Sequence, residues 1–132
     1  MSVLKTTIPV SAEVVTTDAN WTNVASCTIS TDSSFLISDI FLVGKALTTT
    51  PGSPFMGDTA FAKAIHRGKR YSGTLSLVGS IVNILTFATG SDTALTTCSL
   101  QIIVSGSTVI LQVKGITAKT IEWYGGFTII QN

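Results

Sequence analysis

The sequence contains few charged residues. Lys, Arg, Asp and Glu make up 11% of its 132 residues, and the formal net charge is +1. Globular domains usually carry about 25% charged residues. A chain with so small a net charge has no strong field to hold a polyanion against salt, which excludes nucleic acid as the main partner. The abundant Ser and Thr suit equally a small β domain solvated by hydroxyls and a subunit packed against other subunits.

Long apolar runs are also missing. The run at 81–85 is interrupted by Asn83, and a spanning helix needs about 20 apolar residues. The first residues, M-S-V-L-K-T-T-I-P-V, have neither a basic start nor the long apolar segment of a secretory signal. We therefore expect no membrane partner and synthesis in the cytoplasm.

Histidine and clustered ligands are scarce. His66 is the only histidine, so a catalytic His base would have to be His66, and no G-x-S-x-G motif accompanies it. Cys27 and Cys98 are some seventy residues apart, and no two of the seven acids lie within three positions. The sequence predicts no enzyme, no metal site and no cofactor.

Each cysteine is in phase with apolar residues at alternate positions, which points both thiols to an inner face. A disulfide between Cys27 and Cys98 stays open as an alternative, but a reducing compartment favours free thiols.

A carboxylate pair for glycoside hydrolysis would meet only in space. Asp18, Asp32, Asp58 and Asp92 all stand in turn-like sequences, where Asp side chains cap the backbone, and we favour that structural role.

Apolar residues recur at every second position between clusters of Gly, Ser, Thr, Asn and Asp. This pattern predicts an all-β, single-domain antiparallel β-sandwich, jelly-roll-like, with about eight strands. We expect an extended N-terminal arm at 1–12 and the sandwich at 13–132. The predicted strands are 13–15, 22–29, 35–43, 59–67, 74–78, 81–88, 95–104, 108–114 and 120–131.

Three local features refine this outline. The run at 35–43 is the richest in apolar residues and should be a central strand, with Asp39 needing solvent or a partner. Trp123 is in phase with Ile121 and Phe127, which predicts a core position. Gly125 and Gly126 in mid-strand indicate a bulge or the close approach of another backbone.

The stretch K-A-I-H-R-G-K-R-Y-S-G at 63–73 holds four of the eight Lys and Arg residues. We expect a strand that ends near Arg67 and a turn at 68–73. The cations favour a solvated strand end or one side of a salt-bridged interface over a nucleic-acid platform, which would need more aromatic residues and a basic groove.

Three segments together resemble a known module: T-T-D-A near Thr16, R-G-K-R-Y-S-G-T-L-S-L-V-G at 67–79, and V-I-L-Q-V-K-G-I-T-A-K-T-I-E-W at 109–123. They are similar to a small β module of tailed-bacteriophage virion proteins, over about 14–131. The resemblance implies a non-enzymatic, jelly-roll-like sandwich, commonly trimeric, found on tail fibres and capsid surfaces. The loop around Pro51 and Pro54 is longer than the module's.

The module stands without a fibrous stem, which favours a capsid decoration, or cement, protein on the virion surface over a tail fibre. Its expected partners are two further copies, as a homotrimer, and the major capsid protein. The loop at 44–58, the longest in the chain, is a second expected contact. The expected capsid or subunit contacts are Val3, Leu4, Ile8, Pro9, Pro51, Pro54, Phe55, Lys69 and Arg70.

The alternative is a tail receptor-binding module that recognises a cell-surface glycan. Its candidate sugar-stacking residues are Trp21, Tyr71 and Tyr124.

Overall fold

The computed structural model describes residues 6–47 and 57–132. They form eight strands, a short helix and one 3-10 turn. The strands are β1 (Thr6–Thr16), β2 (Trp21–Thr28), β3 (Ser33–Ala46), β4 (Thr59–Tyr71), β5 (Thr74–Leu85), β6 (Ser99–Ser105), β7 (Thr108–Lys114) and β8 (Ile121–Gln131); α1 (Phe87–Gly90) and the turn at Thr93–Leu95 lie between β5 and β6.

The strands make two antiparallel sheets, one in the order β1-β8-β3-β4-β5 and one in the order β2-β7-β6. This confirms the predicted single-domain β-sandwich. The chain crosses between the sheets near both ends, from β1 to β2 to β3 and from β7 to β8. Between them, β3, β4 and β5 form consecutive hairpins within one sheet.

The core lies between the sheets and follows from the alternation. Ile37, Ile40 and Leu42 line it from β3, and Leu111 and Val113 line it from β7, all fully buried. Burying one such side chain contributes about 1.5–3 kcal/mol. The predicted inward phase of the strands is therefore confirmed.

Trp123 is the largest buried residue, as its phase predicted. Its indole N–H donates to the Thr16 hydroxyl over 2.9 Å, and the Phe87 ring meets it edge-on at 5.6 Å. A side chain at Gly44 would collide with the indole, so glycine is needed there. The indole thus joins β1, β3, β8 and α1.

β3 is central, between β8 and β4, as predicted. Its register shifts between Ile37 and Ile40, where Asp39 has a φ of 52°. This bulge adds one residue and so returns Ile40 to the inner face. Asp39 has both of the predicted alternatives, solvent and a partner, because its side chain is 68% exposed and its carboxylate lies 3.7 Å from the Lys63 ammonium.

The first strand is longer than the predicted strand at 13–15. β1 starts at Thr6 and pairs with β8 without interruption to Thr16. Ile8, Val10 and Ala12 alternate inward and pack on the core, which draws this segment into the sheet. Residues 6–12 are therefore part of the sandwich.

The expected turn at 68–73 is also wrong, because β4 continues to Tyr71 and only Ser72 and Gly73 turn the chain. Gly68 belongs to the strand, since the Phe35 ring packs where its side chain would be. The expected strand at 81–88 is the end of β5 followed by α1.

Candidate interaction surfaces

The outward face of the three-stranded sheet is polar. We call it the amide face, because Asn23 of β2, Gln112 of β7 and Gln101 of β6 lie in one row across it. The Gln101 amide donates to Gln112 over 2.6 Å, and the Gln112 amide donates to Asn23 over 2.7 Å. The row thus satisfies much of its own hydrogen-bonding capacity.

An aromatic residue borders this row. Trp21 and Lys114 are register partners, and the Lys114 ammonium lies 5.9 Å from the centre of the Trp21 ring. Trp21 is 39% exposed. The amide face therefore offers one ring surface beside fixed donors and acceptors.

The outward face of the five-stranded sheet is different, and we call it the apolar face. Tyr124, Val43 and Phe61 form one row across β8, β3 and β4. The Phe41 ring lies 5.4 Å from the Tyr124 ring. In a second row, Ile130 of β8 neighbours Leu36 of β3. The side chains in both rows are exposed, and Tyr124 has the largest exposed fraction, 46%.

The basic stretch divides between two sides of β4. Lys63, Arg67 and Lys69 point outward onto the apolar face, because they share the phase of exposed Phe61. His66 and Arg70 share the phase of buried Ala64 and point inward. The stretch is therefore not one basic spot.

Arg70 has a structural role. Its guanidinium donates to the Ser30 carbonyl over 2.6 Å and lies 3.5 Å from the Asp32 carboxylate. Asp32 in turn accepts from the backbone N–H groups of Ser72 and Gly73. These contacts tie the β2–β3 connection to the β4–β5 turn, so Arg70 is a poor choice for a contact with another molecule.

His66, Asp18 and Asp92 also have hydrogen-bond partners within the chain. The His66 ring nitrogen Nε2 lies 3.0 Å from the Gly79 carbonyl, which holds β4 to β5 at an irregular point. Asp18 accepts from the Asn20 N–H, as predicted for a turn. Asp92 accepts from the N–H and hydroxyl of Thr59, 33 residues away.

The expected contact residues do not converge. Ile8 is half-buried and Pro9 exposed on the edge strand β1, while Lys69 lies on β4, with β8 and β3 between them. The predictions for Val3, Leu4, Pro51, Pro54 and Phe55 lie outside the described residues.

A cleft of about 720 Å³ runs between β1 and β2, the adjacent edge strands of the two sheets. Pro9 and Ser11 line it from β1, and Asn23 and Ser26 line it from β2. Within the described residues, each of these strands pairs on one side only. The cleft therefore presents two strand edges to an incoming chain.

Both cysteines are buried and free, as their phase indicated. Burial raises the pKa of the Cys98 thiol to about 11 and also raises the pKa of Cys27. Across residues 6–47 and 57–132, no three His, Cys, Asp or Glu side chains are grouped to hold a metal ion. No helix in that part of the chain is long and apolar enough to cross a membrane.

No family model and no curated protein matches the sequence. Two solved structures are similar in outline. The tailspike protein of Acinetobacter baumannii phage AM24 is 16% identical, with a TM-score of 0.48, over 96% of this chain and 26% of that one. A tailspike of A. baumannii bacteriophage Fri1, described as a capsular polysaccharide depolymerase, is 10% identical, with a TM-score of 0.39, over 97% and 19%. This chain thus spans about a quarter or less of either tailspike.

The three candidate sugar-stacking residues are dispersed. Trp21 lies on the amide face, Tyr124 on the apolar face, and Tyr71 beside the β4–β5 turn, where it is 76% exposed. They do not form one platform.

Sequence reasoning missed both faces, although each left a signal. In F-L-I-S-D-I-F-L-V both alternating phases are apolar, which indicates a strand covered on two sides. The repeated L-Q-I and L-Q-V each place a glutamine opposite the buried phase. Neither signal identifies the neighbouring strands.

Proposed function

We propose that this chain is a structural protein of a tailed-bacteriophage virion. Specifically, it is a capsid decoration protein that binds the outside of the shell as a homotrimer and stabilises it, with no enzymatic role. The observation that carries the proposal is the apolar face, because exposed apolar patches on a charge-poor domain are typical of subunits in assemblies. The sequence resemblance to the virion module supports the same function.

Such a protein would act by linkage. Contacts to adjacent capsid subunits add binding free energy that only the assembled shell can gain. The free edge of β1, with Ile8 and Pro9, and the adjacent cleft are the capsid contacts that we favour, since exposed edges accept added strands. Val3, Leu4, Pro51, Pro54 and Phe55 remain predicted contacts.

Of the two cations predicted to contact another molecule, Lys69 and Arg70, only Lys69 remains a candidate. Lys69 is exposed and stays a candidate for a subunit or shell contact, whereas Arg70 is engaged with Ser30 and Asp32. Charge reversal at Lys69 alone therefore tests a contact, and reversal at Arg70 tests folding.

The proposal can be tested on purified particles. Heads and tails are separated and probed with an antibody against this chain, and intact particles are labelled with the same antibody and gold. We expect the signal on heads, with gold spread over the shell. A signal confined to tails would contradict the decoration role.

A second candidate function, recognition of a cell-surface glycan by a tail module, has one observation in its favour. Trp21 lies beside the hydrogen-bonding row of the amide face, and sugar sites combine a stacking ring with fixed polar groups. Binding to host polysaccharide that is lost in Trp21→Ala and kept in Tyr71→Ala would support it. No binding by the intact chain would remove it.

A further inference from the structure

The apolar face concentrates the exposed apolar side chains of the molecule. Of the eleven large apolar residues that are exposed in the described chain, eight share the outward phase of the five-stranded sheet. They are Val15, Leu36, Val43, Phe61, Tyr71, Val82, Tyr124 and Ile130. A solvated outer face of an antiparallel sheet is normally polar, as the amide face is. The apolar face is therefore expected to be buried against another protein surface.

The size of this face matches what a stable contact needs. Five strands about 4.8 Å apart, over a shared length of some nine residues, make a surface of roughly 20 by 30 Å. That is about 600 Å² in projection, and side-chain relief increases it. A standard interface takes on the order of 800 Å² from each partner.

Charge is unevenly divided across the face. On the β1 and β8 side the only charged residues are Glu13 and Glu122. On the β4 side Lys63, Arg67 and Lys69 point outward, and only the Asp39 carboxylate lies beside Lys63. Lys45 of the central strand β3 is also exposed on this face and is the register partner of Glu122. Acidic charge nevertheless prevails on the β1 and β8 side, the acidic half, and basic charge on the β4 side, the basic half, on either side of the apolar centre.

This arrangement is self-complementary. A second copy turned over about an axis parallel to the strands places its acidic half against the basic half of the first copy. The apolar rows then meet at the centre, where desolvated anchors contribute most to binding. An acidic shell surface would match only the basic half and would repel Glu13 and Glu122.

We infer that the apolar face is the surface through which copies of this chain associate, with the acidic half of one copy against the basic half of the next. The inference keeps the self-association of the proposed function but joins the copies in pairs, so a dimer in solution would support this interface and a trimer would contradict it. It does not depend on whether the protein sits on the head or the tail.

Two charge variants of the full chain test it. In the first, Glu13→Lys with Glu122→Lys makes both halves basic. In the second, Lys63→Glu with Lys69→Glu makes both halves acidic. Arg67 is left unchanged, because its guanidinium donates to the Val78 carbonyl. Light scattering after size-exclusion chromatography gives the mass of each variant, and far-UV circular dichroism checks the fold.

We expect the unaltered chain to be oligomeric at micromolar concentration. Each charge variant alone should associate at least about tenfold more weakly, because like charges then face each other. Mixing the two variants should restore association, since every contact is again complementary. Lys114→Glu, a reversal on the amide face, should leave the mass unchanged.

A monomeric unaltered chain would overturn the inference, as would variants that associate as well as the parent, or a mixture that fails to recover. Head labelling together with a monomer in solution would overturn this interface and leave the decoration role standing. An oligomer in solution together with tail labelling would contradict the decoration role and leave this interface standing.

Discussion

The two outer faces of this sandwich use the same alternating strands and differ in what those strands expose. On the amide face, the side chains of Asn23, Gln112 and Gln101 bond to one another. On the apolar face, Val43, Phe61 and Tyr124 lie in one row and are exposed, and no described segment of the chain covers them. The difference indicates that one face is made for solvent or a small polar ligand and the other for a protein surface.

Both faces depend on the shared interior, where the largest effect is expected. Trp123→Ala should lower the free energy of unfolding by about 3–5 kcal/mol, because it removes the largest buried side chain and its contact with Phe87. Trp21→Ala is the matched control, and we expect a change within about 0.5 kcal/mol. Urea unfolding followed by circular dichroism measures both. Equal losses would mean that the interior is assigned wrongly.

The next largest difference in stability is expected between variants of Arg70 and Lys69, neighbouring cations on opposite sides of β4. Arg70→Met should cost about 1.5–3 kcal/mol of folding free energy, because the Ser30 carbonyl and Asp32 lose their charged partner. Lys69→Met, on the apolar face, should change stability by less than about 0.5 kcal/mol. Thermal unfolding of the two variants compares them directly. A Lys69 variant as unstable as the Arg70 variant would contradict the division of the basic stretch.

The faces themselves should respond in opposite ways. Phe61→Thr should raise the dissociation constant of the oligomer by about tenfold and leave the fold intact, because it removes an apolar anchor. Gln112→Leu should leave association unchanged and cost about 0.5–1.5 kcal/mol of stability, because it breaks both bonds of the amide row. Sedimentation equilibrium and urea unfolding separate the two responses. If Gln112→Leu dissociated the oligomer, the interface would lie on the other face.

The smallest effect is a loss of stability that appears only above about pH 9. The Cys98 thiol has its pKa raised by burial from 9.0 to about 11, so folding favours the protonated form. Its contribution to stability is complete below pH 9 and is lost as the pH rises through 11, at most about 1.4 kcal/mol per pH unit. Cys98→Ala should remove that part of the slope. The measurement is the free energy of unfolding, from urea unfolding, as a function of pH. If this free energy fell equally steeply above pH 9 in the parent and in Cys98→Ala, the contribution of Cys98 would be contradicted.

Much of the fold could be predicted from alternation alone. The period of two predicted part of each of the eight strands, the central place of β3 and the buried position of Trp123. Strand ends were less predictable. β4 runs past the expected turn because Gly68 lies under the Phe35 ring, a contact that only strand pairing creates.

The surfaces were harder to predict because they depend on register. Asp32 and Arg70 meet across some forty residues of sequence, and the bulge at Asp39 resets the phase of β3. The sequence shows which residues share a side of one strand. It does not show that Tyr124, Val43 and Phe61 lie side by side, because that depends on the order of β8, β3 and β4.

The most direct test of the account places a photoreactive benzophenone amino acid at position 61 in one variant and at position 112 in another. Phe61 lies on the apolar face and Gln112 on the amide face. After irradiation of purified protein, we predict adducts at twice the 13.8 kDa chain mass or more for position 61 and none for position 112. Adducts from position 112 alone, or none from position 61, would contradict association through the apolar face.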